Sequence, residues 1–529
     1  MENKKQITLK EWLGKIEKDK LWRWLIFLWL TLLPFLCCAA YCLKTGNSIR
    51  DMYLPAGLWN DDIIYFKEVE GIVKYGMPQG YFGYSDAHAL VGSLSVWSPV
   101  LLVPWCIWGF LFGWNYMSPI WCNIVMMMAA MGVFALLNKP TGKQTFWLSA
   151  FYITFIRLTR YALSVHVETT VYFMIILILA LVFYLRKKES RTAMGFLLFL
   201  TVMLTWMRPY YVVLLAIPAY ALGRKNKKYL WGMLAVFLAA VGGYFLISKY
   251  LCAPYLDGEG LLDVSWLTTF FTDGFKAGVK NILHIFLYSV DEFMKYLGSA
   301  ISNGSSMGEN AGITFAMVFV CLVYKLVTAV RSGDQELRLR YGYWVVYYVL
   351  MFLAITYIFS ISSGQKHLLG FGVIGLFLLA MDGMSEGKMW LVTFVLSYLF
   401  LMRTLDATSW NIPYLDVNVQ GELQKGEAVL DEEIQVEAGG PSYDNTVIWV
   451  FDDVVNGEYV FTNWQMLYAL PEGMGINMCL FDTLATDLSN VQSKYIFVAA
   501  GGRIDEHCQR IQAKKVVEYG NSIIYQLRD

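Results

Sequence analysis

Apolar stretches long enough to cross a bilayer recur through the first 405 residues of this 529-residue chain, and nothing constrains its fold more. In hydrocarbon each backbone N–H and C=O must find its partner within the protein, so only helices and closed barrels span. Runs of about 20 apolar residues have helix length, roughly twice what a barrel strand needs. The composition agrees, with 57% hydrophobic residues, 16% charged and a mean hydropathy of +0.46. Globular domains lie nearer a quarter charged. The sequence predicts a polytopic α-helical membrane protein of about 11 transmembrane helices, followed by a small α/β domain.

The expected spans are 21–43, 117–137, 145–160, 168–185, 193–207, 210–223, 229–250, 312–330, 341–360, 368–382 and 389–405. Six lysines in Met1–Lys20 precede the first span, which is too apolar and too long for a cleaved signal core, so the N-terminus is expected in the cytoplasm. The further apolar run Leu94–Phe112 is decided by charge. If it crossed, Arg186-Lys187-Lys188 and Arg224-Lys225-Asn226-Lys227-Lys228 would face outward, against the positive-inside tendency. Pro99 and Pro104 also oppose a straight helix there. Read as a juxtamembrane piece, it leaves loops 44–116 and 251–311, short turns near 158–168 and 361–367, and the tail 406–529 outside the cell membrane. Within 251–311, Leu283–Ile301 is expected to lie amphipathically on the interface, and Gly298–Gly312 to be flexible.

Composition changes at the tail. Thr446–Phe451, Ile476–Phe481 and Tyr495–Ala499 have buried-strand patterns, Trp464–Leu470 and Asp505–Lys514 look helical, and Val516–Tyr519 with Ile523–Leu527 reads as a hairpin around Gly520-Asn521. Cys479 and Cys508 face an oxidising side in this topology, so a disulfide between them is open. Most of the other cysteines sit in or beside apolar segments as small hydrophobes. No spacing suggests a metal site, and no basic stripe suggests nucleic acid in a chain of net charge +0.

Against this background the pair Asp61-Asp62, at the head of the amphipathic stretch Tyr65–Gly76, stands out. Ionisable groups held at a membrane face are costly without a role. The bland alternative is that one of them caps a helix over Ile63–Lys74. Three further clusters share the outer side: Arg157-Leu158-Thr159-Arg160 through Val165-His166-Val167-Glu168, then Met207-Arg208-Pro209, then Gln365-Lys366-His367. Their plain readings are a helix-start acid for Glu168, a structural imidazole for His166, and snorkelling cations for Arg208 and Lys366.

The order and shared sidedness of these motifs, with Ser98-Pro99-Val100 ahead of the juxtamembrane run, resemble the GT-C superfamily of integral-membrane glycosyltransferases over about 400 residues. The resemblance implies transfer of a sugar from a polyprenyl-phosphate donor to an acceptor hydroxyl of a glycan, lipid or protein on the outer face, with inversion. Asp61 or Asp62 would then be the general base, Asp61 slightly ahead, since a carboxylate suits late deprotonation beside an oxocarbenium-like centre. Glu168 and His166 would lie near the acceptor, and Asp61, Asp62 and Glu168 are the ligands if a divalent cation is used. Lys366, His367, Arg208 and Arg160, with Arg157 as a further cation, would receive the departing lipid phosphate.

A transporter or flippase should show repeated halves and broken, charged mid-membrane helices; the ionisable residues here gather instead at the outer ends of spans. A polysaccharide polymerase or ligase of another membrane fold, or a non-catalytic scaffold, also fits a large outer loop.

Overall fold

Six helices among the described residues are long and apolar enough to cross a membrane: Lys20–Lys44, Ser118–Asn138, Glu168–Lys187, Tyr229–Tyr250, Thr314–Ser332 and Gln335–Tyr357. The chain is therefore a multi-pass membrane protein. The computed structural model describes residues 18–44, 61–79, 98–252, 265–302, 307–358, 361–382, 426–434, 442–462, 464–484 and 491–528, with single residues between some of these stretches. The expected span 389–405 lies outside them.

In chain order the helices are α1 (Lys18–Lys44), α2 (Asp61–Tyr75), α3 (Val103–Phe112), α4 (Ser118–Asn138), α5 (Gly142–Thr154), α6 (Arg157–Ala162), α7 (Glu168–Lys187), α8 (Arg191–Met207), α9 (Ala216–Lys225), α10 (Tyr229–Tyr250), α11 (Ser265–Thr272), α12 (Phe275–Ser302), α13 (Met307–Ser332), α14 (Gln335–Ile358) and α15 (Ile361–Asp382). α4 packs on α1 and α7, and α13 packs on α14 and α15. Gly375 of α15 lets the second group close up, because a methyl there would collide with Val318 and the Tyr348 hydroxyl.

Two expected spans are each broken. The segment 145–160 is α5 and α6, separated at Phe155–Ile156; α5 starts cleanly because Thr141 and Gln144 form a capping box. The segment 210–223 begins as a 3-10 turn, Pro209–Leu215, and continues as α9. Pro209 is the cause: it drives the preceding Arg208 out of the helical region, to φ −145° and ψ 107°, which ends α8. The run Leu94–Phe112 yields a 3-10 turn, Pro99–Leu101, and the ten-residue α3, about 15 Å long and so too short to cross alone.

Two expectations are corrected here. Gly298–Gly312 is not a flexible link as far as it is described, because Gly298–Ser302 closes α12 and Met307–Gly312 opens α13. The stretch 283–301 belongs to the 28-residue α12, which packs Phe293 edge-on to Phe315 and Phe352 and leaves Leu283, Leu287, Tyr288 and Met294 exposed. The turn 361–367 is helical, the first turns of α15.

The C-terminal domain carries a five-stranded sheet of order β4-β1-β5-β7-β6, from β1 (Thr446–Val450), β4 (Gly475–Cys479), β5 (Tyr495–Ala499), β6 (Lys514–Tyr519) and β7 (Ser522–Gln526). β1 runs parallel to β4 and β5, and all three are buried throughout, as parallel strands covered on both faces require. The edge strand β6 opens with Lys514-Lys515, charges that discourage further pairing. A second hairpin, β2 (Asp452–Val455) and β3 (Glu458–Phe461), was not anticipated, although Asn456-Gly457 between two apolar runs announces it. Both turn residues have positive φ, 53° and 86°, which Asn and Gly tolerate. The short helices are α16 (Phe481–Leu484) and α17 (Arg503–Arg510); Lys514, expected at a helix end, starts β6 instead, and Trp464–Ala469 is a 3-10 turn. Cys479 and Cys508 are both buried and are not joined in a disulfide, and burial followed by Asp505 pushes the Cys508 thiol up to about 12.

Candidate active site

α2 is buried on nearly every side: Ile63, Ile64, Tyr65, Phe66 and Val69 all lie inside, with Lys67 and Glu68. The stretch Tyr65–Gly76 is thus buried over its first half, through Val69, and turns partly to solvent from Glu70 to Gly76. Trp114 donates its indole N–H to the Phe66 carbonyl from the α3 side, at 3.1 Å. On the other side α2 meets the 464–469 turn and β4 of the C-terminal domain.

The helix begins at Asp61, two residues ahead of the expected 63–74, so Asp62 sits inside the first turn rather than at a capping position before it. The partial positive charge of a helix start favours a carboxylate there. The Asp62 side chain is wholly buried. Asp61 is placed by its backbone alone; its side chain lies outside the described residues.

The short turn after α6 brings the next groups in. Asn123 of α4 donates to the Ser164 carbonyl at 2.8 Å and accepts from the Trp105 indole at 2.9 Å. Ser164 Oγ in turn accepts from the His166 backbone N–H at 3.2 Å. One buried amide therefore fixes the loop that carries the imidazole. His166 Nε2 lies 3.5 Å from Asp62 Oδ1, and its Nδ1 lies 3.4 Å from Glu168 Oε2. Glu168, first residue of α7, also receives Arg208 Nη2 at 3.2 Å. Three segments far apart in sequence thus place Asp62, His166 with Glu168, and Arg208 in one buried line.

The cations around this line are as deeply set. Arg157 and Arg160, both on α6, are buried. Burial, then Arg160 beside it, draws Arg157 down to about 9, still cationic at neutral pH. For Arg208 burial opposes the charge, but Glu168 and then Tyr210 more than offset it and hold the group above its ordinary value. Arg208 does not snorkel: it is buried and turned to Glu168. Tyr161, buried and then raised further by Glu168, stays a neutral phenol within electrostatic reach of Asp62, Glu168, Arg157 and Arg160. Sequence reading passed it over, as nothing marks one tyrosine among 34.

His367 joins from the far side of the bundle. Its Nδ1 and the Tyr210 hydroxyl are 2.8 Å apart, and Tyr210 follows Arg208 by two residues. The first turns of α15 therefore meet the Arg208-Pro209 turn. The Lys366 side chain lies outside the described residues. Among the described residues no group of three or more His, Cys, Asp and Glu side chains is arranged to hold a metal ion.

No family model and no curated protein matches the chain. The solved structures that overlap with it include two of one enzyme. ArnT from Cupriavidus metallidurans bound to undecaprenyl phosphate is 10% identical, with a TM-score of 0.48 over 94% of this chain and 97% of that one. The same enzyme in the apo state is 8% identical, with a TM-score of 0.41 over the same shares. An overlap this loose does not reach the role of any one side chain.

Proposed function

We propose that the protein is an integral-membrane glycosyltransferase of the GT-C type, taking a sugar from a polyprenyl-phosphate carrier and passing it to an acceptor hydroxyl on the outer face of the cell membrane. The observation that carries this is the buried line Asp62–His166–Glu168–Arg208, which sets a carboxylate at one end and a guanidinium at the other. Glycosyl transfer from a phosphate needs both. As the acceptor oxygen bonds to the anomeric carbon, the bond to the phosphate oxygen breaks and takes its electrons with it. Asp62 receives the acceptor proton, and the negative phosphate is met by Arg208, with Arg160, Arg157 and His367 behind it. Attack opposite the departing phosphate inverts the anomeric centre.

His166 orients the carboxylate from one side and ties it to Glu168, which in turn fixes Arg208. Arg208 brings a planar guanidinium into this line, and such a fork matches the oxygens of a phosphate. The chemistry so written needs no metal.

The test is the full-length Asp62→Asn protein, purified and supplied with a polyprenyl-phosphate sugar. Loss of the base should lower the rate by roughly 10²–10⁴-fold. Undiminished transfer by that variant removes the proposed base and the reading with it.

A further inference from the structure

The C-terminal domain reaches the acidic line through one segment. The turn Trp464–Ala469 lies on α2, with the Tyr468 ring 5.5 Å from that of Phe66, one helical turn beyond Asp62. The backbone at and just beyond this ring is tied to α2 and to the segment ahead of α4. Tyr116 donates to the Tyr468 carbonyl at 3.0 Å, and the buried Lys67 amine donates to the Leu470 carbonyl at 2.8 Å. Lys67 also pairs with Glu70 at 2.7 Å.

The Tyr468 phenol is 1% exposed, and its hydroxyl has no hydrogen-bond partner among the described residues. A core aromatic with nothing to bond would serve better as Phe, because a buried hydroxyl left unsatisfied is costly. Burial, and then the nearby Asp62 carboxylate, raise this phenol far above its ordinary range, so it remains a donor.

We propose that Tyr468 is a substrate-contacting residue that the C-terminal domain supplies to the active site, its hydroxyl bonding an oxygen of the hydroxyl-bearing acceptor beside Asp62. This rests on the reading of Asp62 as the base. The site is then complete only while residues 464–470 lie on α2. Asp62 and Tyr468 are both buried in that arrangement, so the acceptor enters when the segment parts from the helix. The contacts that must open are Lys67 to Leu470 and the exposed pair Lys74–Glu472, at 2.7 Å.

The experiment uses full-length Tyr468→Phe beside Asp62→Asn, with polyprenyl-phosphate sugar as donor and the acceptor varied. Phe keeps the ring on Phe66 and removes only the hydroxyl. The expected result is a loss of about tenfold in kcat/KM, carried by the acceptor KM, with donor KM and thermal unfolding as in the unaltered protein. Unchanged kinetics for Tyr468→Phe with a dead Asp62→Asn overturns the inference and leaves the proposed function standing. A loss that affects donor and acceptor alike, or that follows lowered thermal stability, also overturns it. Full transfer by Asp62→Asn removes the proposed function itself.

Discussion

The two ends of α7 carry charges of opposite purpose. At its C-terminal end Arg186 meets Asp382 with two hydrogen bonds, 3.0 and 2.8 Å, while Arg340 stands 3.7 Å from the same carboxylate. These side chains keep some contact with solvent, 24% for Arg186 and 12% for Asp382. At its N-terminal end, about 27 Å away along the axis, Glu168 meets His166 and Arg208 at 3.4 and 3.2 Å, in a group where no side chain exceeds 6% exposure. The first is a short, saturated, forked clasp that closes the bundle. The second holds charges near one another at longer range and out of water, where each is worth more to an incoming charge. Under the proposed function the clasp is structural, and the buried group is the one that meets the substrate.

Replacements can break this contrast, and the largest effect belongs at the buried end. Arg208→Lys keeps the charge but loses the fork, and should cost about 10²–10³-fold in kcat through weaker stabilisation of the departing phosphate. Single-turnover kinetics would show it, and an unchanged chemical step would return Arg208 to a structural role. At the clasp, Arg186→Gln should lower unfolding stability by about 1 kcal/mol and leave turnover as it was, since the pair is partly solvated and remote from the reaction. A large fall in kcat there would erase the distinction between the two ends.

The smallest effect concerns Glu70, beside the Lys67 clasp. Burial raises its carboxyl above the ordinary 4.5, and Lys67 only partly opposes this. A carboxyl raised in the docked state binds its proton more tightly there. Its contribution is therefore full below pH 4.5 and is lost as pH climbs through the elevated value. Docking of 464–470 should loosen modestly from mildly acid to neutral pH, as read by hydrogen exchange of that segment, and Glu70→Gln should flatten the dependence.

Much of the fold was legible because bilayer and sheet impose periodic demands on sequence. The lengths of α1, α4, α7, α10, α13 and α14 follow from apolar run length. Strands β1 and β5 follow from nearly continuous apolar runs, and β4 from a short apolar run that the buried Asn477 interrupts. The break at Phe155–Ile156 escaped notice because Phe and Ile are as apolar as any spanning residue, and hydropathy is blind to a backbone turn. The broken start of 210–223 had a visible mark in Pro209. The β2–β3 hairpin was announced by Asn456-Gly457 and was overlooked amid the apolar runs.

For the site, the acids and cations were named from their types and sidedness. Sequence ranked Asp61 and Asp62 nearly level, and it is Asp62 whose side chain is placed against His166. It offered snorkelling for Arg208, whereas burial and Glu168 turn that side chain inward.

By itself the amino-acid sequence determined that this chain lives in a membrane and where its long apolar helices run, since hydrocarbon penalises polar groups wherever they fall. Only the tertiary structure decided that Asp62, His166, Glu168 and Arg208 form one line and that Tyr468 of the C-terminal domain lies over it. Those meetings depend on side-chain distances between elements separated by up to about 400 residues, and no local pattern encodes a distance.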